Sequence, residues 1–114
     1  MNNNIICALI KKDDFILIAK RRNGKWELPT GITEGSDELK SVERELYEEY
    51  NIKAKADKLI TNIEYRNNNY KLYECTYNSG NFKLYNHIDY KWIKPKFIND
   101  YDLIQLSKEL VKYI

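Results

Sequence analysis

The sequence predicts an α/β (α+β) fold, a mixed β-sheet between helices, and three observations carry that reading. Apolar, β-branched runs open the chain, a single helical stripe of apolar residues follows, and further strand-like runs lead to a second helical pattern at the C-terminus. Strands, helix, strands, helix is the order that covers a sheet with helices.

Residues 5–10 and 15–19 are the opening runs, and Lys11-Lys12-Asp13-Asp14 between them supplies turn-compatible residues, so the pair reads as a β-hairpin. Residues 26–29 continue as a short extended piece, and residues 30–36 (TGITEGS) read as a loop with two glycines. Ser36 or Asp37 can cap a helix that runs to about Tyr50. Leu39, Val42, Leu46 and Tyr50 recur at spacings of three, four and four, which makes one apolar stripe. Asn51 follows where a left-handed C-terminal residue is expected, a conformation Asn tolerates best after Gly.

Residues 59–65, 70–77 and 90–93 are strand-like, with turns at Asn67-Asn68-Asn69 and Asn78-Ser79-Gly80-Asn81. Pro95 breaks the last strand. Asp100 or Asp102 can start a C-terminal helix that turns Leu103, Leu106, Leu110 and Tyr113 or Ile114 inward.

The 114 residues suit one compact domain, 1–114, and 43% hydrophobic content is enough for one core. A formal net charge of +2 excludes wrapping of a nucleic-acid polymer by bulk charge, while a small anionic ligand needs only a local site. Cys7 and Cys75 lie in apolar runs without CxxC or Cys/His spacing, which argues against zinc and for reduced, buried thiols. The N-terminus has no basic and apolar leader pattern, and no apolar run approaches the ~20 residues of a membrane span. The expectation is a cytoplasmic protein, a monomer or homodimer, with no membrane partner. With ten tyrosines, no single Tyr is a functional signal by itself.

The chemistry lies in Arg44-Glu45-Leu46-Tyr47-Glu48-Glu49. On a helix, Glu45, Glu48 and Glu49 project from one side, with Glu38 near the same line and the apolar stripe roughly 100° away. Clustered carboxylates repel, so something must compensate. Arg44 can pair with Glu48 at i+4 or fork onto another carboxylate. A hard divalent cation can meet the rest: Mg²⁺ takes oxygen ligands, keeps several waters and is completed by substrate phosphates. The other reading of such a face is an ordinary solvated acidic surface. The glycine-bearing loop directly before the helix favours the metal, since its carbonyls can complete a cation site and its amides can meet phosphate oxygens.

Residues 31–52, GITEGSDELKSVERELYEEYNI, resemble the Nudix box: a glycine, five residues, a glutamate, seven residues, then Arg-Glu-apolar-x-Glu-Glu-x-Gly-apolar. Arg44, Glu45, Leu46, Glu48, Glu49 and Ile52 match its densest part, and Trp26-Glu27-Leu28-Pro29 and the hairpin ending Lys20-Arg21-Arg22 resemble its lead-in. The resemblance is specific between about residues 24 and 52 and follows the order of elements over most of the chain.

It implies an α/β/α sandwich and a MutT-like enzyme with Mg²⁺, or Mn²⁺, as cofactor. The reaction implied is hydrolysis of a nucleoside triphosphate, including an oxidised or modified one such as 8-oxo-dGTP or a cytidine nucleotide, to the monophosphate and pyrophosphate. By the same resemblance Glu45 and Glu49 ligate the metal, Glu48 is ligand or base, Arg44 orients a glutamate, and the main-chain carbonyl of Thr30 or Gly31 adds a ligand. Asp102 matches a residue that bonds the base, with a helix cap as its alternative reading. Arg22 matches a position near substrate or is a surface strand charge, and Leu28 lines the base pocket or packs in the core.

Five departures bear on these roles. The loop is one residue short, most simply between Glu34 and Gly35, and Thr30 replaces the first of two usual glycines. Ser36 stands in place of the box's first glutamate and Asn51 in place of its last glycine. Downstream, related sequences place a glutamate six residues before a strand Trp, where Asn86 stands before Trp92. Asn cannot act as a base. His87 and Asp89 are the neighbours that would substitute, although His87 reads first as a surface-loop residue; otherwise Glu48 or Glu49 must activate water. The alternatives are a dinucleoside polyphosphate or nucleotide-sugar hydrolase, for which Tyr70 is a weak pointer, a degenerate domain that binds a nucleotide without cleaving it, and a structural domain with an acidic helix.

Overall fold

The computed structural model describes residues 4–32 and 37–114. Its opening hairpin is β1 (Asn4–Lys12) and β2 (Phe15–Lys20), antiparallel with Lys12 opposite Phe15. The turn narrows to Asp13 and Asp14, with Asp13 at φ 54°, so Lys11 and Lys12 are strand residues rather than turn. After β3 (Trp26–Glu27), residues expected as loop form a short strand β4 (Thr30–Ile32), which pairs with β1 through Cys7 opposite Thr30 and Ile6 opposite Gly31. Three residues carry no periodicity to read, so only the pairing partner reveals this strand.

The helix α1 spans Glu38–Tyr50, as its stripe predicts. Val42, Leu46 and Tyr50 are buried, but Leu39 is 40% exposed; Ser41 is buried instead and satisfies its hydroxyl by donating to the Asp37 carbonyl at 3.0 Å. Asn51 ends the helix at φ 59° and ψ 34°, its N–H donating to the Tyr47 carbonyl, so the loss of the usual glycine leaves a competent cap.

Strand β5 (Ile52–Tyr65) starts at once, well before the strand expected from residue 59. Its first half alternates buried Ile52, Ala54 and Ala56 with exposed Lys53, Lys55 and Asp57, a period-two pattern concealed by small and charged residues. It pairs with β6 (Asn68–Gly80) across a two-residue turn, Arg66 and Asn67, both at positive φ as such hairpins require. Asn78, Ser79 and Gly80, expected as a turn, are strand residues. A Cβ at Gly80 would lie 2.7 Å from the Asn51 carbonyl oxygen, so this pairing next to the helix end needs glycine.

Strand β7 (Asp89–Ile93) pairs with β2. The seven-stranded sheet runs β3-β2-β1-β6-β5, with β4 on β1, and is mixed because β1 and β6 are parallel. Each face has its own core. Ile6, Ala8 and Ile10 pack under Val42, Leu46 and Tyr50. Cys7 and Leu9 join Leu103, Leu106 and Leu110 on the other side. That explains why β1 reads as a continuous apolar run: it is buried on both faces.

The C-terminus departs from expectation. A 3₁₀ turn (Pro95–Asp100) follows β7, residue 103 bridges to Trp26, and the helix α2 is only Gln105–Leu110 with Ile104 at its N-cap. Neither Asp100 nor Asp102 caps it, and Tyr113 and Ile114 are exposed at 52% and 41% rather than turned inward. Among the described residues no helix is long and apolar enough to cross a membrane. Cys7 and Cys75 are buried free thiols.

Candidate active site

The site begins with the way α1 is fixed to the sheet. Asp37 caps it by accepting the Lys40 N–H at 3.1 Å; Ser36, the other candidate cap, lies outside the described residues, as do Glu34 and Gly35. Glu38 does not join the acidic group. It accepts from Lys71 Nζ at 2.7 Å and from the Tyr73 hydroxyl at 2.9 Å, which ties the first helical turn to β6. Lys71 and Tyr73 hold the Glu38 carboxyl below its ordinary range against the opposing effect of burial, and burial with Glu38 beside it pushes Tyr73 up to about 12. Glu43 caps a register shift in β5 by accepting the Ala56 N–H at 2.9 Å.

With α1 so anchored, Glu45 and Glu49 are half-buried and line one cleft of about 430 Å³ together with Thr30 and Gly31 of β4, a volume suited to a small ligand. The contact is close: a Cβ on Gly31 would fall 2.9 Å from both Cγ and Oε2 of Glu45. A larger residue at position 31 would push the Glu45 carboxylate aside. Thr30 points its hydroxyl back, donating to the Leu28 carbonyl at 2.9 Å.

Glu48 is exposed and does not line this cleft; Arg44 Nε stands 3.7 Å from its Oε1, the i,i+4 pair expected from the sequence. Both partners are open to solvent, so the pair contributes only about 0.3–0.5 kcal/mol. The expected grip of three carboxylates is therefore two in the cleft and one outside it. Among the described residues no three His, Cys, Asp or Glu side chains form a ready-made cation cage.

The cleft is also lined by Glu27 and Arg21, to which sequence reasoning gave no role, and by Asn86 and His87. Glu27 is 9% exposed, and its Oε2 lies 2.7 Å from His87 Nε2 and 3.9 Å from Arg21 Nε. A carboxylate in a short extended apolar run was the available signal, because such a charge needs partners to be buried. His87 is not a surface-loop residue: its side chain is 10% exposed and its ring stacks on Tyr50 at 5.3 Å and 23°. Burial, then Glu27 and Glu49 nearby, push the Tyr50 hydroxyl well above its ordinary range. Asn86 donates its Nδ2 hydrogen to Glu49 Oε2.

The remaining expected residues stand elsewhere. Arg22 is exposed in the turn after β2 and is not a strand charge; Arg21 is the arginine at the cleft. Leu28 is fully buried in the core, its N–H donating to Ser107 Oγ at 3.1 Å. Asp102 is exposed and contributes its carbonyl to the Trp26 N–H at 2.8 Å. Asp89 accepts the N–H of Tyr90, and Tyr70 is buried against Tyr65.

The donor set fits a hard cation. Two carboxylates beside exposed main chain match Mg²⁺, which binds through one or two carboxylates and leaves the rest of its shell to water and substrate phosphates. Arg21, which also lines the cleft, supplies a permanent positive charge.

Comparison with known proteins gives the family and the fold. The NUDIX domain pattern matches residues 2–108. The fold is similar to the E. coli ORF135 protein, with a TM-score of 0.81 at 22% identity over 99% of this chain and 89% of that one. It is similar to an ADP-ribose pyrophosphatase from Streptococcus suis, with a TM-score of 0.82 at 18% identity over 99% and 87%. A MutT NUDIX hydrolase from Burkholderia pseudomallei gives 0.73 at 18% identity over 100% and 98%. The comparison with curated proteins gives no match. With the domain pattern spanning nearly the whole chain and the helix that carries Arg44-Glu45-Leu46-Tyr47-Glu48-Glu49 set against Gly31, this protein belongs to the NUDIX domain family.

Proposed function

We propose that this chain, acting as one catalytic domain in the cytoplasm, hydrolyses a nucleoside triphosphate to the monophosphate and pyrophosphate with Mg²⁺, or Mn²⁺, as cofactor. The observation that carries the reading is the placement of Glu45 and Glu49 side by side in a cleft also lined by Gly31. Glu45 and Glu49 would hold the cation with the Thr30 main-chain carbonyl. Bound there, the cation offsets charge on the phosphates and on the oxygen released.

The chain's own residues would do the rest. Arg21, in the cleft lining, would meet phosphate oxygens. Glu48, outside the cleft and paired with Arg44, would serve as ligand or as the base that takes a proton from the attacking water only after its side chain turns from Arg44 toward the cleft. That water adds to phosphorus as the bridging P–O bond breaks, and the bridging oxygen leaves with pyrophosphate. Leu28 would act only from the core, and Arg22 and Asp102, exposed and outside the cleft lining, would meet the nucleoside only where it extends beyond the cleft.

The test is a panel of nucleoside triphosphates, oxidised and cytidine forms included, run with Mg²⁺ or Mn²⁺ and scored for pyrophosphate. ADP-ribose, a nucleotide sugar and a dinucleoside polyphosphate complete the panel. Pyrophosphate from a triphosphate supports the reading; turnover confined to the other substrates overturns it.

A further inference from the structure

Asn86 stands where a glutamate is usual, and the structure gives it a partner that its neighbour controls. We propose that His87 is a positioning residue for Glu49, acting through Asn86, with Glu27 and Tyr50 holding His87 in place. This rests on the hydrolase reading above.

Residues 81–88 join β6 to β7 without regular structure, and Asn86 is exposed within them. An exposed asparagine on an irregular connection loses conformational freedom when it holds a carboxylate, so such a contact persists only where something else has already ordered the backbone. His87 supplies that order. Its Nε2 meets Glu27 Oε2 at 2.7 Å, its ring stacks on Tyr50, and the next residue, Ile88, donates its N–H to the Lys20 carbonyl at 2.9 Å. Three anchors on β3, α1 and β2 thus converge on the residues beside Asn86. Asn86 in turn donates to Glu49 Oε2, which fixes the plane of a cleft carboxylate.

The same geometry argues against His87 as a base in its own right. Nε2 is committed to Glu27. Nδ1 is sealed from solvent with no partner among the described residues, so a proton there would be a buried, unsatisfied donor. Neither nitrogen is therefore open to a water in the cleft. His87 therefore serves as an anchor, and the glutamate missing at position 86 is replaced by a hydrogen bond to Glu49 rather than by another base.

Three variants test this: His87→Phe keeps the stack and loses the bond, His87→Gln restores a donor toward Glu27, and Asn86→Ala removes the contact with Glu49. Each is checked for native melting before kcat and KM are measured on the best triphosphate. His87→Phe and Asn86→Ala should each lower kcat by about 10–100-fold, with KM changed far less. The double variant should fall no further than the worse single one, because both act on one contact. His87→Gln should recover most of the loss and keep the wild-type pH profile. Additive losses, unaltered kcat in His87→Phe, or a His87→Gln that loses a limb of the pH profile would overturn the proposal. Nitrogen-15 NMR gives a readout independent of turnover. The Asn86 side-chain amide should be distinct in the wild type and revert to a free-amide position in His87→Phe. Its persistence there would refute the positioning role even if no triphosphate is cleaved.

Discussion

Gly31 and Glu45 are in contact so close that no side chain fits between them: a Cβ at residue 31 would stand 2.9 Å from the Glu45 carboxylate oxygen. The strand β4 and the helix α1 meet at that point, and the meeting sets where the carboxylate points. Gly31→Ala is expected to keep the fold, since the strain is taken up at a side chain, at a cost of about 1–3 kcal/mol. Catalysis should suffer more, because a displacement near 1 Å costs about 100-fold in rate. Denaturant melting beside kcat/KM checks this; equal, small losses in both would show that the contact does not govern the site.

Glu38 makes acid stability a readout of how α1 is docked. Lys71 and Tyr73 lower its carboxyl from the ordinary value of 4.5 in the folded chain. A lowered folded value means that the carboxylate stabilises the fold fully above about 4.5 and that the contribution is lost as pH falls through the lowered value. Glu38→Gln should therefore melt about 4 °C below the wild type at neutral pH, with the gap closing as the pH falls below the ordinary value of 4.5. A gap independent of pH would contradict the ionic part of this anchor.

The two thiols should be inert in the native protein. Burial pushes both Cys7 and Cys75 up to about 12, so almost no thiolate exists at neutral pH. An aromatic disulfide reagent should label neither within minutes and both at once in denaturant. Rapid native labelling of either would show that the sheet core opens more readily than its packing implies.

What could be read from the sequence follows physical periodicity. Val42, Leu46 and Tyr50 announced α1 because an apolar stripe recurring every four residues is a strong signal, and Asn51 announced its end because few residues accept its backbone. RExxEE announced the acidic edge and the Arg44–Glu48 pair, though not that Glu48 would stand outside the cleft, which depends on where β4 meets the helix. The first half of β5 was hidden because alanines and lysines carry little contrast. The C-terminal helix was overdrawn because buried Leu103 lies in an extended bridge rather than on a helical face. Glu27 and His87 meet across sixty positions, and no local pattern encodes such a pairing.

The most direct test of the central claim is pyrophosphate release by purified Glu49→Gln at saturating Mg²⁺, with native melting confirmed. Exchanging one carboxylate oxygen for an amide preserves size and removes the charge that would hold the cation. The account predicts a fall in kcat of at least about 100-fold, the order expected for loss of a catalytic carboxylate. Turnover near that of the wild type would contradict it.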